Sequence, residues 1–225
     1  MDLSRLEVLI GNDNINKIKN LNILIIGIGG VGGYTLESLV RCGINNITIV
    51  DGDTIKPSNL NRQIIATNEN LDNLKTEEWK KRILSINPEA KVKCINEMIS
   101  EDNIDLLFQD NYDYIIDCCD TTRVKVLLVK LCDEKGIKLV SSMGMAKKLD
   151  ATKIKITTLD KTDTDPLARK IRSEIRNKDL MRKVTVVYST EPSINNKTLG
   201  STSFVPSVAG LFITNYIINN EIKRA

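Results

Sequence analysis

The sequence predicts an α/β fold: a doubly wound, Rossmann-like, mostly parallel sheet, extended on its substrate side by C-terminal strands. Three observations predict it. The run Gly27-Ile28-Gly29-Gly30-Val31-Gly32 lies between an apolar stretch and an amphipathic segment, where a strand turns into a helix. Short apolar runs alternate with helix-period segments. The 225 residues, 41% hydrophobic and 27% charged, are ample for one buried core.

In chain order, residues 23–26 read as the first strand, and an amphipathic helix ends near Cys42. Residues 47–50 form a second strand ending in Asp51, Lys75 stands ahead of an amphipathic helix, and residues 92–95 form a third strand. Residues 114–116 read as a buried strand opening into Asp117-Cys118-Cys119-Asp120-Thr121-Thr122, with a helix over 121–135 and a strand over 138–141. Two further strands, 153–158 and 184–188, flank a helix capped by Asp165 with Pro166 at its first position, and extend the same sheet. Residues 205–218 form a core helix, since polar interruptions leave too short an apolar run to cross a bilayer. No repeat, low-complexity tract or linker divides the chain. One domain over 1–225 is expected, with a nucleotide core at about 20–145 and a substrate-side extension at about 146–225.

The glycines predict a phosphate cradle. Gly27 permits the tight turn, Gly29 lets a phosphate approach the backbone, Gly32 lets helix pack on strand, and Gly30 completes the run. Amides at the helix start then face an anion. Asp51 suits a ribose hydroxyl. From there Asp51-Gly52-Asp53 runs into Asn59-Leu60-Asn61-Arg62-Gln63 and then Lys75, and a dinucleotide needs no such cations as Arg62 and Lys75. A triphosphate undergoing displacement develops charge that Arg62, Lys75 and a metal neutralise, although either residue alone also reads as a solvated surface charge. Asp120 suits magnesium, which asks for one or two carboxylates beside phosphate oxygens and water; it also suits a helix N-cap. Asp117 reads as strand-end structure.

These residues resemble the adenylating enzymes related to ubiquitin-activating enzymes. The resemblance rests on GIGGVG, on Asp51 followed by Arg62 within NLNRQ, on Lys75, and on DCCD ending in Asp120. It implies ATP and Mg2+ as cofactors: Asp51 on the ribose, Asn59, Arg62 and Lys75 on the phosphates, Asp53 and Gln63 in the same binding set, and Asp120 on the metal. Arg5 resembles the arginine that such enzymes insert into a partner subunit's ATP site, which implies a homodimer. Arg62, Lys75, Asp120 and Arg5 form the implied catalytic set.

Downstream, Ser141-Ser142-Met143-Gly144, Lys148-Leu149-Asp150, Asp165-Pro166-Leu167-Ala168, Val187-Tyr188-Ser189 and the run from Gly200 to Pro206 resemble one branch, the tRNA threonylcarbamoyladenosine dehydratases. That branch implies ATP-dependent cyclisation of threonylcarbamoyladenosine in tRNA, next to the anticodon, through an acyl adenylate. It implies tRNA carrying that nucleoside as partner and leaves room for sulfur-transfer accessory proteins. Within the class, the alternative is adenylation of a sulfur-carrier protein or peptide carboxylate. Outside it stand an NAD-binding oxidoreductase, which leaves Arg62, Lys75 and Asp120 without a shared purpose, and a non-catalytic nucleotide-binding subunit.

Five cysteines, at 42, 94, 118, 119 and 132, form no pair of CxxC motifs, so no zinc is expected. With no signal segment evident, the cytoplasm is the expected location and these thiols read as small buried hydrophobes. The chain has no histidine, so any proton acceptor is another group. The net charge of +3 is small, but basic residues gather from Lys161 to Lys183. A helix burying Leu167, Ile171 and Ile175 turns Arg169, Arg172 and Arg176 outward. That face suits RNA phosphates; equally, it suits water, because few aromatics accompany it.

Overall fold

The computed structural model describes residues 1–195 and 197–222. Two short helices, α1 (Ser4–Ile10) and α2 (Asn12–Lys19), lead into β1 (Asn22–Ile26). The nucleotide core continues through α3 (Gly32–Arg41), β2 (Asn46–Val50), α4 (Lys75–Ile86), β3 (Lys91–Ile95), β4 (Tyr114–Asp117), α5 (Thr122–Lys135) and β5 (Lys138–Ser142). Then follow β6 (Ile154–Thr158), α6 (Pro166–Ile175), α7 (Lys178–Lys183), β7 (Thr185–Ser189) and α8 (Phe204–Glu221).

The strands make one seven-stranded sheet in the order β3-β2-β1-β4-β5-β7-β6. Every pairing is parallel except β6 with β7. The apolar runs of β1 and β4 lie between two helical layers, so both faces are buried and the sequence reads as continuous Ile and Leu rather than alternation. On one face Ile23, Ile25, Ile47 and Ile49 pack with Leu36, Trp79 and Ile213. On the other Leu24, Ile26, Val50 and Ile115 pack with Val129, Ile171 and Met181. The chain reverses between β1 and β4, and the cleft at that switch point is where open α/β sheets bind ligands.

The predicted strands at 153–158 and 184–188 are β6 and β7, and β7 inserts between β5 and β6. The predicted core helix is α8. It lies so close to α3 that a side chain at Gly210 would sit 2.5 Å from the Val31 carbonyl oxygen. Thr35 Oγ1 donates to the Gly210 carbonyl and Thr214 Oγ1 to that of Thr35, both at 3.2 Å. At its far end α8 is tied to the sheet through Glu221. The Tyr114 hydroxyl and Lys138 Nζ each donate to its Oε1 at 2.6 Å, and Lys17 Nζ lies 2.9 Å from Oε2.

Two local expectations change. Helix α5 starts at Thr122 with Thr121 at its N-cap, so Asp120 stands one residue outside and caps nothing. Helix α6 keeps its predicted start, where Asp165 accepts from the Ala168 amide, but ends at Ile175; Arg176, with φ 55°, leaves the helical path.

Candidate active site

The carboxyl ends of β1, β2 and β4 open into a cleft of about 270 Å³. Its floor is the glycine turn. Gly27 has φ 77°, and a Cβ there would meet the Cys118 carbonyl oxygen at 2.9 Å. A Cβ at Gly32 would fall 1.9 Å from the Gly27 carbonyl oxygen, which is the close helix–strand packing expected. Gly29 faces the Gln63 side chain, and Gly30 faces Pro206 at the start of α8. The turn therefore seats the last helix as well as opening toward the cleft.

Asp51, at the end of β2, is 9% exposed and ties the cleft together. Its carboxylate accepts from the Ile28 amide at 3.0 Å and the Asp53 amide at 2.9 Å. Lys75, at the first position of α4, is buried, with its ammonium 3.4 Å from Asp51 and 2.7 Å from Asp53. The sequence offered Lys75 as a phosphate cation or a solvated surface charge; it is neither solvated nor unpaired, because the fold buries it and shares its charge with two carboxylates. Arg62 differs. Its Nη1 donates to the Ser58 carbonyl at 2.7 Å and to Asn61 Oδ1 at 3.0 Å, both neutral, and among the described residues no carboxylate pairs with it. That leaves a guanidinium charge uncompensated at the cleft wall. Asn59 is buried and accepts from the Lys56 amide, while Gln63 is buried with its Oε1 unpartnered among the described residues.

Asp120 is exposed at the mouth, and no hydrogen bond or ion pair engages it among the described residues. A single free carboxylate facing a phosphate cradle fits magnesium, whose other ligands are phosphate oxygens and water. No cluster of three acidic, Cys or His side chains suited to a metal occurs among the described residues.

Below the cleft lies a buried pair that sequence reasoning missed. Lys125 Nζ donates to Asp117 Oδ2 at 2.9 Å and to the Ser142 carbonyl at 2.8 Å; Ser141 Oγ donates to the same Asp117 oxygen at 2.6 Å. Asp117 Oδ1 receives the Cys119 amide at 3.2 Å. Burial opposes the Lys125 charge, but Asp117 outweighs it and holds the pKa above lysine's ordinary value. The missed signal was a lysine among Val124, Val126, Leu128 and Val129, on the apolar face of α5. Burial, reinforced by Asp117, pushes the Cys118 thiol up to about 12 and raises Cys119 too, so neither is a ready thiolate.

Other predicted residues lie elsewhere. Arg5 is exposed on α1, which buries no residue and leaves Val8 and Leu9 to solvent; it does not line its own chain's cleft. The arginine face on α6 is not uniform. Arg169 points outward, but Arg172 is half-buried and donates to Thr162 Oγ1, and Arg176 turns off the helix end. Arginine stems lie along neighbouring apolar surface, and the partner that then holds the head, here Thr162, comes from outside the helix, which helical spacing does not reveal.

Residues 3–218 match the ThiF family. The tRNA threonylcarbamoyladenosine dehydratase of Bacillus subtilis (strain 168) is 34% identical, over 98% of this chain and 94% of that protein. The protein of the same name from Escherichia coli (strain K12) is 34% identical over 89% of this chain and 78% of its own. The fold superposes on the E. coli tRNA N6-threonylcarbamoyladenosine dehydratase solved in complex with ATP, with a TM-score of 0.91 and 32% identity, covering 96% of this chain and 91% of that one. A complex of the same dehydratase with AMP matches equally well. Over nearly its whole length, in sequence and in fold, the chain belongs to the ThiF family.

Proposed function

We propose that this protein uses ATP to dehydrate N6-threonylcarbamoyladenosine in tRNA, next to the anticodon, closing it to a cyclic derivative through an acyl adenylate. The observation that carries the reading is the uncompensated Arg62 guanidinium beside the glycine cradle, in a chain whose near-full-length relatives bear the dehydratase name. The relative solved with ATP supports the choice of nucleotide. An oxidoreductase leaves Arg62 and Asp120 unexplained, and the relatives do not favour a sulfur-carrier substrate.

In this reading Asp51 accepts from the ribose, while Asn59, Arg62 and Lys75 bind the triphosphate, with Asp53 and Gln63 framing them. A threonyl carboxylate oxygen attacks the α-phosphorus and pyrophosphate departs. Arg62 and Lys75 spread the charge that develops, an interaction worth most in a partly desolvated cleft. Asp120 would hold Mg2+, which when bound supplies further positive charge to the phosphate oxygens. The carbamoyl nitrogen of the same nucleoside then attacks the activated acyl carbon. Its proton is lost, AMP leaves with the carboxylate oxygen, and one water is removed overall. The second step is intramolecular, so proximity replaces an enzyme nucleophile, in keeping with the raised thiols of Cys118 and Cys119. Arg5 from a second copy completes the site in a homodimer, and the outward Arg169 and Arg176 meet tRNA phosphates. Location in the cytoplasm belongs to the same reading; among the described residues no helix is long and apolar enough to cross a membrane.

The test is direct. Incubating the protein with ATP, magnesium and tRNA bearing threonylcarbamoyladenosine should yield a nucleoside lighter by one water on mass spectrometry. Pyrophosphate release driven instead by a carrier-protein tail, with that nucleoside unchanged, would overturn the assignment.

A further inference from the structure

A second cavity, about 200 Å³, lies in the C-terminal part of the chain, and the cleft mechanism makes no use of it. It is bordered by Lys147, Lys148 and Leu149 on one side and by Ile194, Gly200, Ser201 and Thr202 on the other. Its frame is built. Lys147 bonds to two residues on the facing side: its amide donates to the Gly200 carbonyl at 2.8 Å, and its carbonyl accepts from the Ile194 amide at 2.9 Å. It does so with φ 60°, a left-handed backbone that a lysine adopts only when its surroundings impose it. Beside it, Lys148 is buried and donates from Nζ to the Glu191 carbonyl, while the Glu191 carboxylate accepts from the Leu149 and Asp150 amides. Burial pulls the Lys148 pKa below lysine's ordinary value, against the attraction of Asp165 and Glu191, so the fold holds this lysine at a cost.

Two features indicate an occupant. The rim leaves large apolar side chains in solvent: Leu149 is 59% exposed, Ile194 41%, and Leu199, next to Gly200, 78%. Three large apolar side chains gathered at one opening, rather than scattered singly, mark a binding groove. The cavity also adjoins the phosphate motif, because Asn61, within NLNRQ, donates from Nδ2 to the Ser201 carbonyl at 3.2 Å. Aliphatic walls stand beside two hydroxyls: Thr202 Oγ1 accepts from the Val205 amide and keeps its proton to donate, and Ser201 Oγ donates to the Thr202 carbonyl and keeps lone pairs to accept. That arrangement matches a nucleobase, which offers two apolar faces and a hydrogen-bonding edge, and RNA loops present such bases unstacked. The geometry points to this cavity as the subsite for the purine ring of the target nucleoside, Leu149 and Ile194 covering its faces and Ser201 and Thr202 meeting its edge. This rests on the tRNA reading above and adds to it where the base sits.

The experiment uses two anticodon stem–loop RNAs, one with adenine at the target position and one abasic there, and the full chain with bound ATP. Wild type should prefer the adenine RNA by about tenfold, what covering roughly 55 Å² of apolar base face with aliphatic side chains contributes. The Leu149→Ala/Ile194→Ala variant, altered only at exposed side chains, should bind both RNAs equally, with abasic affinity and ATP affinity unchanged. A variant that keeps the wild-type preference, or that loses affinity for both RNAs alike, overturns the proposal. The two readings fail separately: a wild type that removes water from modified tRNA yet ignores the missing base rejects only the subsite, whereas no water loss from modified tRNA rejects the function itself.

Discussion

Asp51 holds three groups at once, the Ile28 and Asp53 amides and the Lys75 ammonium, and this makes it the most consequential single carboxylate of the cleft. Asp51→Ala should weaken ATP binding by about 1.5–3 kcal/mol, the range for a hydrogen bond to a charged group, while the sheet survives. Titration calorimetry on a folded variant checks this; unchanged affinity rejects the ribose assignment. Lys125 tests the fold rather than the ligand. Lys125→Met leaves Asp117 charged and buried with hydrogen bonds only from Ser141 and Cys119, so stability should fall by about 3–5 kcal/mol. Urea unfolding measures it, and a loss under about 1 kcal/mol would show the pair to be dispensable. The Asp117→Asn/Lys125→Met double variant should recover part of that loss, because the stranded charge is gone.

Among the elements, α6 and α8 carry the clearest consequences. In the tRNA reading, α6 and the residue that ends it present two exposed arginines, Arg169 and Arg176, rather than three, because Arg172 is half-buried against Thr162. Replacing Arg169 and Arg176 with Gln should weaken tRNA binding and reduce the slope of log affinity against log salt by about 1–2, with ATP affinity unchanged. Identical slopes across a salt series would remove α6 from the RNA interface. Helix α8 is locked by Glu221. Burial raises the pKa of that carboxyl, but hydrogen bonds from Lys138, Tyr114 and Lys17 outweigh burial and hold it down at about 2, below its ordinary 4.5. A depressed folded pKa stabilises the protein fully above the unfolded value and loses that stabilisation as pH falls toward the folded one. Stability should therefore decline between about pH 5 and about pH 2, and Glu221→Gln, on the order of 2 kcal/mol less stable at neutral pH, should show a shallower decline. Parallel acid profiles for the two proteins would place the lock elsewhere.

For the whole molecule, the open question is how many chains make one site. Arg5 lies on a helix that packs Ile10 against the core of its own chain but leaves Val8 and Leu9 exposed, a surface suited to meeting a second copy. If Arg5 completes the neighbouring cleft, Arg5→Ala and Asp120→Ala should each be inactive alone, and mixing them should restore activity, since one mixed site then holds Arg5 from one chain and Asp120 from the other. Arg5→Ala should lower turnover more than ATP affinity, because a guanidinium aimed at developing charge favours the transition state. Subunit exchange followed by mass spectrometry, without recovered activity, would reject the action of Arg5 across the interface.

Local pattern by itself determined most of the architecture. Continuous Ile and Leu runs made buried parallel strands, the glycine spacing made the turn after β1, and Asp165-Pro166 set the start of α6, because turns, caps and strand burial depend on neighbours in sequence. The motif residues around the cleft were legible for the same reason: they stand at strand ends and helix starts that local pattern locates. Only the tertiary structure decided which charges remain available. It paired Lys75 with Asp51 and Asp53, folded Arg172 onto Thr162, left Arg62 and Asp120 without countercharges among the described residues, and put Lys125 beneath the cleft. Ion pairing and desolvation depend on what lies within a few ångströms in space, and those neighbours come from segments far apart in the chain.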